Sequence, residues 1–332
     1  VGAPFWRTDI ELPEDIVEEV GRLYGFDLLD LKLPTRSIKP APKNDLNIFK
    51  SSIRSVLCSA GANEVLSYSF VRGDDLVKMG IEDVDKWCYH IRNAISPELQ
   101  YYRPSLIPSL LTKVHSNLKS DMVRSDDNEF ALFEIGKVHV KGHDNDEGLP
   151  VEMERLVLIF AADEKTAKRK YSGSATYMAK QYLLPFLTGT AEFDALESND
   201  YPITAPYEKS RSATISINGQ ILGVVGEFRK SVKKAFKLPD YCAGFEIDLS
   251  LLKQNMAEQV YEPIGVYPKS QQDITLLVSR DTPFTDVMNL FSKELKNAKA
   301  EHGYESSLMP RDIFVADDSD TKNLTFRVWL WH

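Results

Sequence analysis

Cysteine is scarce in this chain: Cys58, Cys88 and Cys242 are the only three in 332 residues, they lie far apart, and none forms a CxxC pair. That spacing excludes a disulfide framework and a cysteine zinc site, and it fits a reducing compartment such as the cytoplasm. No apolar run reaches the roughly 20 residues that a membrane-spanning helix needs, so no membrane is expected as a partner. Positive charge is short as well, with 40 Lys and Arg against 49 Asp and Glu and a net charge of -9. Phosphate neutralisation by Lys and Arg supplies most non-specific affinity for nucleic acid. A protein whose main business is coating nucleic acid is therefore excluded, and any RNA contact has to be local or shared with another subunit. The six histidines form neither HExxH nor a Cys/His zinc spacing, and no serine sits in a GxSxG setting. The chain opens at Val1 with no initiator Met and no signal-peptide layout, and it reads as part of a longer protein.

What is present is ordinary globular material, 43% hydrophobic and 27% charged, at a length suited to two or three domains. Residues 13–25 (PEDIVEEVGRLYG) predict a helix: Pro13 suits the first turn, Ile16, Val17, Val20, Leu23 and Tyr24 form one apolar stripe, and Gly25 stops it. Pro34, Pro40 and Pro42 then mark a linker. From about residue 45 helices and strands alternate. IFKSSIRSVLCSAG, SLIPSLLTKVHSNLKS and ATYMAKQYLLPFL read as helices. EVLSYSFV, KWCYHIRNA, EFALFEIGKVHV, ERLVLIFAA and AGFEIDL read as strands. SATISINGQILGVVGEF reads as a hairpin turning on Asn218 and Gly219. Mostly antiparallel strands with intervening helices predict an α+β fold rather than a doubly wound sheet. A second break is expected near NMAEQVYEPIGVYPKS. Beyond it QQDITLLVS (strand), PFTDVMNLFSKELKNA (a helix opened by Asp281 or Thr282), RDIFVA and NLTFRVWLW (strands) give the order of a split βαβ, ferredoxin-like unit. Trp329 and Trp331 alternate with Phe326 and Leu330, and core packing is the favoured fate of the tryptophans, with base stacking the alternative.

Several segments in fixed order resemble the beta subunits of bacterial phenylalanyl-tRNA synthetases. WRTDIELPEDIVEEVGRLYGFD is similar to the end of the small domain before that family's core. SAGANEVLSYSFV, RNAISPELQYYRPSLIPSLL and ALFEIGKVH resemble the opening of the core, SRSATISINGQILGVVGEF and AGFEIDL its later strands, and YPKSQQDITLLV the start of its anticodon-binding domain. The resemblance implies a division into 1–43 (the C-terminal half of the small domain plus linker), 44–258 (a catalytically silent, class II synthetase-like antiparallel core) and 259–332 (an incomplete ferredoxin-fold anticodon-binding domain). It implies two alpha and two beta subunits that join phenylalanine to its tRNA, with ATP bound by the alpha subunit, which carries the active site. No catalytic residue is assigned to this chain, the core from about 45 to 255 is expected to face the alpha subunit, and the family's editing domain is expected to be absent. The open alternative is a stand-alone RNA-binding or protein-interaction scaffold.

The acids Asp9, Asp15, Glu18 and Glu19 present hard oxygen ligands, three of them at i, i+3 and i+4 of one helix, which suits Mg²⁺; acids at a helix N-terminus are equally explained by the macrodipole. The resemblance implies magnesium ligands at these four positions, shared with the alpha subunit and occupied only with that partner present. GVVGEFR, with Gly223, Gly226 and Arg229, superficially resembles a nucleotide-holding strand, yet glycines placed for close backbone approach account for it better. For tRNA the expected contacts are Lys269, Lys293, Lys296, Arg311 and Arg327, with Lys299 beside them and Asp317, Asp318 and Asp320 opposing. Gln271 and Gln272 stand where the family often has basic residues, so weak, salt-sensitive binding is expected.

Overall fold

The computed structural model describes residues 2–96, 98–120, 127–171, 173–187, 191–255, 267–315 and 320–332. It divides into two units, Val1–Met256 and Ala257–His332. The break expected within 255–270 lies mostly outside the described residues, which omit 256–266.

In the first unit α1 (Pro13–Tyr24) forms as its sequence predicts, with Asp15 accepting from the backbone N–H groups of Glu11 and Leu12. Residues 30–44 are exposed and without regular structure, in keeping with a linker. Asn44 then caps α2 (Asp45–Ser59) by accepting from the N–H of Asn47 at 3.1 Å. The chain continues through β1 (Ala62–Glu64), β2 (Phe70–Val71), α3 (Gly73–Met79), α4 (Val84–Trp87), β3 (Tyr101–Tyr102), α5 (Ile107–Leu118), β4 (Glu129–Val138), β5 (Met153–Ala162), α6 (Glu164–Lys170) and α7 (Thr176–Leu183). It ends with β6 (Ala191–Ala195), β7 (Tyr207–Ile217), β8 (Gln220–Phe228), α8 (Lys230–Phe236), β9 (Tyr241–Asp248) and α9 (Leu249–Asn255).

Seven strands form one sheet in the order β1-β4-β5-β9-β8-β7-β6. Every pair is antiparallel except β1 with β4, so the sheet is mixed. Helices cover both faces, and for that reason β5 and β9 are apolar almost without interruption. Leu158, Phe160, Ile215 and Phe245 pack with Ile53, Leu57, Ala179 and Leu252 on one face. Val157, Ile159 and Val224 pack with Leu76, Leu110, Val114 and Val232 on the other. Each fully buried Leu or Ile contributes about 1.5–3 kcal/mol relative to exposure. Asn218 and Gly219, at φ 52° and 76°, turn β7 into β8 as the sequence predicts.

Two strand expectations are corrected. KWCYHIRNA is not a strand: Asp83 accepts from the N–H of Lys86 and starts α4, leaving only an isolated bridge from His90 to Tyr101. EVLSYSFV breaks into β1 and β2 because Ser67 between them is drawn to Glu134, its hydroxyl donating to Oε2 at 2.5 Å. That carboxylate also pairs with Arg103 at 2.8 Å, and both side chains are almost fully buried. Arg103 further donates to Ser67 Oγ (2.7 Å) and to the carbonyl of Lys137 (3.1 Å). The motifs YYRPSL and ALFEIG thus meet in one satisfied ionic pin. A second pin is Glu246 on β9, which accepts from Ser105 Oγ (2.7 Å) and from the Leu106 N–H (3.0 Å) at the start of α5. Burial pushes its carboxyl up from the usual glutamate range.

The second unit contains β10 (Ser270–Ser279), α10 (Phe284–His302), β11 (Glu305–Val315) and β12 (Thr321–Trp331). The sheet order is β10-β12-β11, antiparallel throughout, with α10 on one face. The helix begins one residue after Pro283 with no side-chain cap, rather than at Asp281 or Thr282. β11 starts six residues earlier than RDIFVA suggests. Pro310 is tolerated inside it because β11 pairs only with β12 among the described strands.

Candidate nucleic-acid interface

β12 alternates, and the alternation divides its residues between two environments. Leu324, Phe326 and Val328 are buried beneath α10, where Phe284 and Phe291 stand against Phe326 with ring centroids 5.8 and 4.9 Å away. Thr325, Arg327, Trp329 and Trp331 project from the opposite face and are half-buried. The expectation that the tryptophans pack in a core is therefore corrected: they share the parity of Arg327, not that of Phe326. No helix packs on that face among the described residues.

The pairing register brings polar groups of β10 beside these side chains, with Gln271 opposite Trp329 and Asp273 opposite Arg327. Trp329 Nε1 donates to Gln271 Oε1 at 3.2 Å. Arg327 donates through Nε and Nη2 to the two oxygens of Asp273 at 2.6 and 2.7 Å. Hydrogen bonds from Arg327, then the charges of Arg327 and Arg311, hold the Asp273 carboxyl below the usual range. Lys269 Nζ lies 4.1 Å from the centroid of the Trp331 ring, a cation–π contact that fixes the plane of the indole. The open face thus offers two indoles, a guanidinium held in a fork by Asp273, and flanking cations. Such a face can stack bases and meet phosphate.

Of the five residues expected to touch tRNA, Lys269, Arg311 and Arg327 are on or beside this face. Lys293 and Lys296 are on α10, which covers the other face, and do not join them. Lys299 pairs with Glu305. Asp317 and Asp318 lie outside the described residues. Trp329, Trp331 and Gln271 were not expected as site residues; the period-two spacing from Arg327 was the signal that could have found them.

Three of the four acids expected to hold magnesium are engaged otherwise. Arg7 donates to Asp9 Oδ1 (2.9 Å) and Oδ2 (2.8 Å) and to Glu19, which also pairs with Arg22. The Arg7 guanidinium lowers the Asp9 carboxyl to about 2, and Arg7 followed by Arg22 lowers Glu19. Asp15 is lowered by the backbone N–H groups of Leu12 and Glu11 that it accepts. Glu18 points to no partner among these. No group of three or more His, Cys, Asp or Glu residues is placed to hold a metal among the described residues. As arranged, this cluster does not fit Mg²⁺: the Arg7 guanidinium already supplies the positive charge at Asp9 and Glu19, and Asp15 is taken by backbone N–H groups.

The GVVGEFR segment has a structural account. A Cβ at Gly223 would come within 2.8 Å of the Ile247 Cα, so the glycine permits β8 to lie against β9. Arg229 donates to the carbonyl of Met79 at 3.3 Å and so ties β8 to the end of α3.

The family model described as phenylalanyl tRNA synthetase beta chain CLM domain matches residues 29–249, and the tRNA synthetase B5 domain matches residues 1–26. A phenylalanine–tRNA ligase beta subunit of Fusobacterium nucleatum is 29% identical over 88% of this chain and 36% of its own length. Those of Geobacillus kaustophilus (30% identity, 85% of this chain, 34% of its own) and Carboxydothermus hydrogenoformans (29%, 92% and 38%) are similar to the same extent. The chain therefore spans little more than a third of the length of the curated relatives it matches. A solved pyrrolysyl tRNA synthetase of Desulfitobacterium hafniense superposes on 63% of this chain and 66% of its own, with a TM-score of 0.45 and 16% identity. With two thirds of its residues matched by one family model, the chain belongs to the phenylalanyl tRNA synthetase beta chain family.

Proposed function

We propose that the chain serves as part of the beta subunit of a phenylalanine–tRNA ligase, contributing a scaffold for a catalytic alpha subunit and a surface for tRNA. The observation that carries the RNA half of this reading is the open face of the β10-β12-β11 sheet, where Trp329 and Trp331 stand beside Arg327 and Lys269. The domain division at 1–43, 44–258 and 259–332 belongs to the same reading, and the two family-model matches support its first two parts. Two alpha and two beta subunits are expected. ATP is assigned to the alpha subunit, and Mg²⁺ is assigned to it as well, because among the described residues no group of three or more His, Cys, Asp or Glu is arranged for a cation. The location proposed is the cytoplasm. No helix among the described residues is long and apolar enough to cross a membrane.

In this reading the chain holds and orients, and the chemistry is done elsewhere. Arg103, Glu134, Ser105 and Glu246 are spent on internal pins, and the seven-stranded sheet is closed on both faces by helices. The chain alone is therefore expected to form no phenylalanyl-tRNA. Reconstitution tests this: co-purification with a matching alpha subunit and phenylalanine charging only by the mixture is the expected result. Charging by the chain alone, or failure to bind the alpha subunit, would overturn it.

A further inference from the structure

The chain carries an excess of acids, yet one groove of the first unit collects cations. Lys230, Lys234 and Lys237 follow one another at i, i+4 and i+7 along α8 and its C-cap, so they share one side of the helix. All three are exposed, and none has an acidic partner among the described residues. The groove beside them, about 760 Å³, is also lined by Lys233 and Arg211 from the neighbouring strand. Glu227 in its floor is buried and already neutralised, pairing with Arg211 at 3.1 Å and Lys233 at 3.3 Å. Glu208 and Asp240 are the remaining acids, so with Glu227, Arg211 and Lys233 set against one another the three free lysines face two carboxylates, and the groove as a whole holds five cations to three acids.

The composition of the groove selects its occupant. Phe228 is buried and Leu238 half-buried, so no exposed aromatic or apolar anchor is offered. Interfaces with proteins are depleted in Lys and built around aromatic anchors. A row of point charges without stacking groups instead suits phosphodiester oxygens, which Lys meets with no demand on base identity. We propose that the α8 groove is an RNA-backbone contact, a sequence-independent foothold separate in character from the indole-bearing face of β12. That its natural occupant is tRNA rests on the function proposed above; the phosphate chemistry does not.

The test uses the full chain and two probes, unfractionated bacterial tRNA and polyuridylate, titrated from about 50 to about 200 mM salt. Replacing Lys230, Lys234 and Lys237 together by Ala should weaken both probes equally, at least about tenfold at the low-salt end, and reduce the slope of log K against log salt by about 2 to 3. Replacing the same three by Arg should preserve affinity and slope, which separates charge from folding. An Ala variant with the parent's affinity and slope would overturn the proposal. So would a parent chain without salt-dependent RNA binding, or an Ala variant that loses only a protein partner. If charging by the reconstituted enzyme fails while the slope changes as expected, the ligase reading falls and the backbone contact stands.

Discussion

The two sheets of this chain solve different problems. The seven-stranded sheet is covered on both faces, and its central ion pair is internal: Arg103 and Glu134 are almost wholly buried, and Ser67 and the Lys137 carbonyl complete their hydrogen bonds. Among the described residues the three-stranded sheet is covered on one face only, and its equivalent pair, Arg327 with Asp273, remains solvent-accessible beside the indole of Trp329. The same arginine–carboxylate chemistry therefore serves as a fastener in one place and as a presented charge in the other. Coverage, more than residue type, decides which.

The contrast is sharpest in stability. Arg103→Ala leaves the Glu134 carboxylate buried without its partner and should lower the unfolding free energy by about 3–5 kcal/mol, whereas Arg327→Ala should cost less than about 1 kcal/mol. Denaturant melts of the two variants check this, and equal losses would show that the open pair is also structural. In RNA binding the ranking reverses. Replacing Trp329 and Trp331 by Ala should cost about 1–3 kcal/mol for each base stacked, read by filter binding of phenylalanine tRNA, with little change in melting temperature. Arg103 variants that still fold should bind as the parent does.

A smaller effect concerns pH. The folded-state carboxyl of Glu246 titrates above the usual glutamate range because it is buried, so its protonated form favours the fold. The stability it allows is fully present in acid, below the unfolded value, and is lost as pH rises through the raised folded value. Glu246→Gln keeps an acceptor for Ser105 and Leu106 but cannot ionise. Its melting temperature should exceed the parent's at neutral pH and converge with it in acid, and a difference that does not vary with pH would refute the assignment. The smallest expected effect is that of magnesium on the chain alone: calorimetry should show no stoichiometric binding, because Arg7 already neutralises Asp9 and Glu19. Strong binding by the isolated chain would mean that the guanidinium gives way.

Much of this contrast was legible in the residues. Apolar runs such as ERLVLIFAA announced strands, and Asn218-Gly219 announced a hairpin. The alternation of LTFRVWLW was also readable, but core packing was favoured over base stacking for the tryptophans although their parity places them with Arg327. What local pattern could not supply was long-range pairing. Ser67, Arg103 and Glu134 meet across 31 to 67 residues of chain, and it is this meeting that interrupts EVLSYSFV. The acids near α1 had suitable spacing for a metal, yet Arg7, ignored in that count, sits 2 residues from Asp9 and takes the role of the cation.

The central claim, that the open face of the second unit is where this chain meets RNA, is tested most directly by fluorine NMR of the chain labelled with 5-fluorotryptophan. Its four tryptophans report from three places: Trp6 is exposed before α1, Trp87 packs against Tyr201 in the first unit, and Trp329 with Trp331 is on the open face. Titration with phenylalanine tRNA should shift or broaden the signals of Trp329 and Trp331 while leaving Trp87 in place and moving exposed Trp6 little. A spectrum in which Trp329 and Trp331 stay unmoved at saturating tRNA would contradict the account.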